Sequence, residues 1–170
     1  MMGHVYFHVE MIPQGQNPIC WIACVAMITS FKTKTTHPIS EFTGGFDPSS
    51  ACIPDPNTGW NDLYANLANF GFSVDGASMS ISPNYIENML KRQGPFMIFV
   101  NVVDFPFYGP VCVSVGSGTH ALVVNGIDTN TGNVMIVNPW GTTTPPADLD
   151  VVVKAMQDIS NDGLNPVAYM

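Results

Sequence analysis

Cys20 is the residue of this chain best placed for covalent chemistry. The segment before it, residues 13–18 (PQGQNP), contains prolines and a glycine that disfavour regular structure. The apolar run that follows, CWIACVAMITSF, is long enough for a helix of about three turns, so Cys20 is predicted at a helix N-terminus. Unpaired backbone N–H groups there carry partial positive charge and favour the thiolate, which is the nucleophilic form of cysteine.

A histidine and an asparagine could complete a catalytic group with this thiol. Among the four histidines, His120 begins a predicted core strand after a glycine-rich loop, GSGTH, a position that places a polar group beside a cleft. Asn138 follows the next predicted strand across a short hairpin, which brings its amide beside the imidazole. An imidazole needs such a partner to fix its tautomer and orientation, and Trp140 is expected to shield the contact from water.

The elements that must position these residues indicate an α+β fold. Helical spacing predicts a helix at 60–70, and Ser82-Pro83 predicts the start of another that stops at Gly94-Pro95. Predicted strands lie at 4–10, 96–103, 120–127 and 134–137, with a last helix at 148–158 and a short edge strand at 167–169. Helices therefore come first and a mostly antiparallel sheet comes second.

Composition narrows the possible partners. The 170 residues carry a formal charge of −8 with only five Lys and Arg, too few to neutralise several phosphates, so nucleic acid and an anionic membrane are not expected as partners. The longest apolar run, 20–28, is shorter than the ~20 residues of a membrane span. One domain covering 1–170 is expected, because no linker or repeat divides the chain.

The four cysteines do not predict a metal site. They lack paired metal-type spacing, and no metal or organic cofactor is expected. Cys24, one turn beyond Cys20, is expected in the core. Cys52 and Cys112 are interpreted as free thiols, with a disulfide between them as the alternative.

Three motifs resemble those of papain-like cysteine proteases. QGQNPICW at 14–21 resembles the nucleophile segment, in which a Gln lies six residues before a Cys-Trp pair. GTHALVVNGID resembles the strand that bears the histidine, and NPWG at 138–141 resembles Asn-Ser-Trp-Gly. The resemblance implies that Cys20 is the nucleophile, His120 the general acid and base, and Asn138 the residue that orients the imidazole.

The resemblance also implies an oxyanion site and a fold. Gln14 would donate to the oxyanion together with the Cys20 backbone N–H, with Gln16 as the weaker alternative, while Trp21 and Trp140 would pack around the site. A papain-like fold would have a helical part at about 14–94, carrying the nucleophile helix, packed against a β part at about 95–170 plus the N-terminal strand.

The short spacing between Cys20 and His120 resembles compact bacterial members of the superfamily. These are translocated effector proteases and the leader-cleaving peptidase domains of bacteriocin exporters, of which the latter typically have Asp in place of Asn138. The expected function is a cysteine endopeptidase acting on a protein or peptide. It would be secreted or translocated as an effector or antibacterial toxin, would act in a reducing cytoplasm, and could be controlled by an immunity protein.

Two alternatives keep the same residues. One is a deamidase, transglutaminase or peptidoglycan amidase that uses the same triad on another acceptor. The other is a binding module whose triad is vestigial.

Overall fold

The computed structural model describes residues 3–17, 19–44, 59–101, 119–141 and 144–170. Within these ranges the chain forms four α-helices, a short 3-10 helix at Ile39–Glu41 and seven strands. The helices are α1 (Cys20–Thr33), α2 (Trp60–Asn69), α3 (Pro83–Gln93) and α4 (Leu149–Asn161). The strands are β1 (His4–Tyr6), β2 (Ser73–Asp75), β3 (Phe96–Asn101), β4 (Thr119–Asp128), β5 (Asn133–Val137), β6 (Ala147–Asp148) and β7 (Val167–Tyr169).

The helices begin where the sequence predicts them. Ser82 caps α3 by accepting a hydrogen bond from the Tyr85 N–H, and Pro83 occupies the first turn, where a missing N–H costs nothing. Gly94 ends this helix with a φ of 74°, a conformation that glycine adopts without strain. Asp148 caps α4 in the same way as Ser82 caps α3. The predicted helices at 20–31, 60–70, 83–93 and 148–158 are thus confirmed with small shifts at their ends.

All strand pairings are antiparallel, in the order β2-β7-β3-β4-β5-β6. β1 pairs with β4 on the same side as β3 but further along: the first residue of β3, Phe96, lies opposite Val124, and β1 lies opposite residues 126–128. The predicted edge position of residues 167–169 is wrong, since β7 lies between β2 and β3. The three-residue strand β2, which was not predicted, occupies that edge instead.

Helices cover both faces of the sheet, and β4 runs through the middle. Residues of β3 alternate between the two faces: Met97 and Phe99 pack with α1 and α2, whereas Phe96 and Ile98 pack with α3 and α4. Nine of the ten residues of β4 are buried, which explains the apolar run at 121–124. The α+β fold class is therefore confirmed, with α3 on the face opposite α1.

Two expectations are not decided by this architecture. The single domain over 1–170, with a division near residue 94, stays a prediction. Cys52 and Cys112 lie outside the described residues.

Among the helices of the described ranges, none is long and apolar enough to cross a bilayer.

Candidate active site

The structure places the Cys20 thiol at the first turn of α1, beneath the start of β4. Ile19 precedes the helix and offers no capping side chain, so the first-turn N–H groups are left for other acceptors. The thiol accepts hydrogen bonds from the backbone N–H groups of Ala121, Trp21 and Cys20 itself. Because Ala121 directly follows His120 in β4, the sulfur lies beside the strand that carries the histidine.

Burial opposes ionisation of this thiol. The Cys20 side chain is 3% exposed, and loss of hydration raises its pKa to about 11 although three backbone donors favour the thiolate. The backbone N–H groups at the helix N-terminus therefore stabilise the thiolate as expected, but desolvation raises the pKa by more than they lower it. The sulfur can become anionic at neutral pH only if a nearby base takes its proton.

His120 and Asn138 meet as the sequence predicts. The Nε2 atom of His120 lies 3.0 Å from Oδ1 of Asn138, and both side chains are buried. Asn138 Oδ1 also accepts from the Trp140 backbone N–H at 3.0 Å, so this atom is an acceptor and Nε2 carries the proton. Nδ1 is thus the basic nitrogen, and burial lowers the pKa of the ring while the bond to Asn138 raises it.

Gln14 is held against the loop that carries Asn138. Its backbone N–H donates to the Pro139 carbonyl at 2.7 Å, and its buried Nε2 donates to the Asn17 carbonyl at 2.9 Å. An amide nitrogen has two hydrogens, so one remains for a second acceptor. Gln16, the alternative oxyanion donor, is exposed.

The two tryptophans differ in their surroundings. Trp21 is buried, and its ring lies 6.5 Å from that of Phe70 at the end of α2. Trp140 is half-buried and joins the site through its backbone bond to Asn138. Cys24 is fully buried in the core, where desolvation raises the pKa of its thiol well above the usual value.

Sequence reasoning missed the main-chain groups of the site. The Ala121 N–H and the Pro139 carbonyl fix Cys20 and Gln14, but a backbone group carries no side-chain signature. In the described residues, no cluster of three His, Cys, Asp or Glu side chains could hold a metal ion.

A helix that begins with a buried cysteine, packed against an antiparallel sheet that carries a His–Asn pair, defines a papain-like cysteine peptidase architecture. Residues 4–152 match the model of the family described as papain-like cysteine protease AvrRpt2, and the chain belongs to this family. It is therefore a thiol peptidase by family.

Solved structures show the same fold. A C39-like peptidase from Bacillus anthracis superposes with a TM-score of 0.65 at 13% identity, covering 99% of this chain and 98% of that one. A double glycine motif protease from an AMS/PCAT transporter, solved with a leader peptide, gives a TM-score of 0.54 at 15% identity and covers 96% and 91% of the two chains. A comparison with curated proteins finds no match.

Proposed function

We propose that this peptidase cleaves polypeptides internally, with Cys20 as nucleophile, His120 as general acid and base, and Asn138 as the residue that orients the imidazole. The observation that carries the proposal is the buried bond of 3.0 Å between His120 Nε2 and Asn138 Oδ1. It leaves Nδ1 as the base, one residue away from the Ala121 N–H that contacts the thiol. Nucleophile, base and orienting group are the three parts that thiol catalysis requires.

The reaction follows from these roles. Nδ1 of His120 takes the thiol proton as the Cys20 sulfur forms a bond to the scissile carbonyl carbon, which gives a tetrahedral oxyanion. The imidazolium then protonates the leaving amine, the C–N bond breaks and an acyl-enzyme remains. Water, deprotonated by His120, hydrolyses the thioester and restores the thiol.

Gln14 is proposed to stabilise the oxyanion together with the backbone N–H of Cys20. Support comes from its buried side chain and from the bonds to Asn17 and Pro139, which limit its movement while one amide hydrogen stays available. Such preorganised donors contribute about 3–4 kcal/mol each to transition-state stabilisation. Gln14→Ala is expected to lower kcat by about 100-fold.

Terminal-peptide mass spectrometry tests this function. Active protein and Cys20→Ala are incubated with a lysate of candidate target cells, and Cys24→Ala serves as the matched control because it is a second buried thiol of the same helix. New peptide termini are expected with the active protein and with Cys24→Ala, and none with Cys20→Ala. Glutamine-to-glutamate changes without new termini would instead assign a deamidase, and identical peptide sets would assign a binding module.

We propose further that the chain acts as a delivered bacterial effector or antibacterial toxin in a reducing cytoplasm, with an immunity protein as its inhibitor. Support comes from the short spacing between Cys20 and His120, which resembles that of translocated effector proteases, and from the match to the papain-like cysteine protease AvrRpt2 family. Inducible expression in the cytoplasm of candidate target cells is expected to arrest growth, whereas Cys20→Ala is expected to be tolerated. Equal growth with both forms in every cell type tried would contradict the toxin role and leave the peptidase assignment standing.

A further inference from the structure

A cavity of about 350 Å³ lies next to the proposed triad and has no role in the mechanism above. It is bounded by the N-terminal segment after β1, by the end of β5 and by the chain before β6. Asn138 itself lines the cavity, so the cavity is continuous with the residue that bonds to His120. Its lining includes Tyr6, His8, Met11, Asn125, Met135 and Pro146.

The outer edge of β5 is open beside this cavity. β6 pairs with β5 only at Asn133 and Val134, so in the described part of the chain residues 135–137 have no strand partner on that side. Pro145 and Pro146 come immediately before β6, and proline has no N–H to donate to a ladder. An open edge next to a cavity is the arrangement in which an extended peptide adds a strand and inserts a side chain.

The walls of the cavity combine apolar side chains with polar ones, among them His8, Asn125 and Thr144. Tyr6 and Met11 are 52% and 39% exposed, and they are two of the three large hydrophobic side chains that are exposed in the described residues. Asn125 is 4% exposed; its Nδ2 donates to the Phe7 carbonyl, and its buried Oδ1 accepts no hydrogen bond from the described residues.

We propose that the cavity is a substrate subsite, in which an extended polypeptide pairs with β5 at 135–137 and places an apolar side chain between Met11 and Met135. The inference rests on the proposed function, because it takes the polypeptide substrate as the occupant. No carboxylate or lysine lines the cavity in the described residues, so the favoured side chain is uncharged.

Kinetics of two charged variants test the subsite. The probe is a proteome-derived library of peptides of about 20 residues, long enough at about 3.3 Å per residue to reach from the triad along β5. Met135→Glu and Met11→Glu are expected to lower kcat/KM by about tenfold or more through KM, because the bound apolar side chain would cover the new carboxylate and remove its water. Met79→Glu, a change at an exposed methionine outside the cavity, is the matched control and is expected to have no effect. Alkylation of Cys20 by iodoacetamide is expected to be unchanged in all three.

Hydrogen exchange gives a readout that does not depend on catalysis. In Cys20→Ala, the library is expected to protect backbone amides at 135–137. The subsite proposal would be overturned if both cavity variants cleaved the library as fast as the wild type and the amides at 135–137 were not protected. The proposed endopeptidase function would not be affected by that result. Protection without any cleavage by the active protein would support the subsite and overturn the proposed endopeptidase. Protection that grows with protein concentration in the absence of peptide would assign the edge to a second copy and overturn the proposal.

Discussion

At the scale of single residues, desolvation acts on both members of the proposed catalytic pair. Burial raises the pKa of Cys20 to about 11 and lowers that of His120, so each group alone favours its neutral form at pH 7. When Cys20 gives its proton to His120, the thiolate and the imidazolium form as a pair of opposite charges. Each charge then offsets the desolvation cost of the other, which neither group can do when it ionises alone. The reactivity of the sulfur at neutral pH should therefore depend on the imidazole.

His120→Gln tests this dependence. Without a base, the Cys20 thiol keeps its raised pKa, so its alkylation by iodoacetamide at pH 7 is expected to fall about tenfold or more and to recover as the pH rises above 9. Rates are measured by mass spectrometry of the peptide that contains Cys20. His37→Gln, a substitution in the partly buried histidine beside Glu41, is the control. Equal rates at pH 7 in wild type and His120→Gln would mean that the helix N-terminus alone ionises the sulfur.

Asn138 is expected to matter through the orientation of His120. Removing its Oδ1 in Asn138→Ala leaves Nε2 without its acceptor, and general acid–base catalysis, worth about 10²–10⁴-fold, loses part of its effect. A fall in kcat of about 10- to 100-fold with little change in KM is expected in peptide hydrolysis. Asn138→Asp keeps the acceptor oxygen and should restore most of the rate. If Asn138→Asp is as slow as Asn138→Ala, the orienting role is wrong.

At the scale of elements, the N-cap of α4 should affect stability without affecting the site. Asp148 Oδ1 accepts from the Asp150 N–H at 2.8 Å and from the Val151 N–H at 3.4 Å, which satisfies two unpaired donors of the helix. Asp148→Ala is expected to lower the free energy of unfolding by about 1 kcal/mol in urea titrations. Peptidase activity should be unchanged, because α4 packs mainly on the face of the sheet opposite α1.

Asp158→Ala is the matched control for this cap. Its carboxylate pairs with Lys154 at 2.9 Å on the exposed side of the same helix, and such a pair contributes only about 0.3–0.5 kcal/mol. A loss in Asp158→Ala as large as that in Asp148→Ala would show that the acidic charge, and not capping, stabilises α4.

The elements also show how far sequence reasoning reaches. Long segments with clear caps, such as α3 between Ser82 and Gly94, could be predicted because local hydrogen bonds decide their ends. The three-residue strands β2 and β7 form only because each finds a partner distant in sequence. The sequence therefore predicts an edge position for β7, although β2 occupies that edge. The β4–β5 hairpin is local, which is why the meeting of His120 and Asn138 was predictable and the backbone contact of Cys20 with Ala121 was not.

At the scale of the whole molecule, buried neutral groups should set the pH range of stability. The pKa of His120 is lowered in the folded state. Its neutral ring therefore contributes fully to the free energy of unfolding above the pKa of the unfolded chain, near 6.5, and this contribution is lost as the pH falls below that value. Cys20 behaves in the opposite sense. Its pKa is raised, so the folded protein retains a proton that the unfolded chain releases above pH 9.0.

Cys20→Ala should therefore flatten the alkaline side of the stability profile. In the wild type, the contribution of Cys20 is complete below pH 9.0 and is lost as the pH rises to about 11; at about 1.4 kcal/mol per pKa unit this loss amounts to about 3 kcal/mol. Urea unfolding of both proteins from pH 7 to 10.5 is expected to show a difference in unfolding free energy that shifts in favour of the variant above pH 9. A difference that stays constant over this range would contradict a raised pKa for the sulfur, and with it the need for His120 to take the proton.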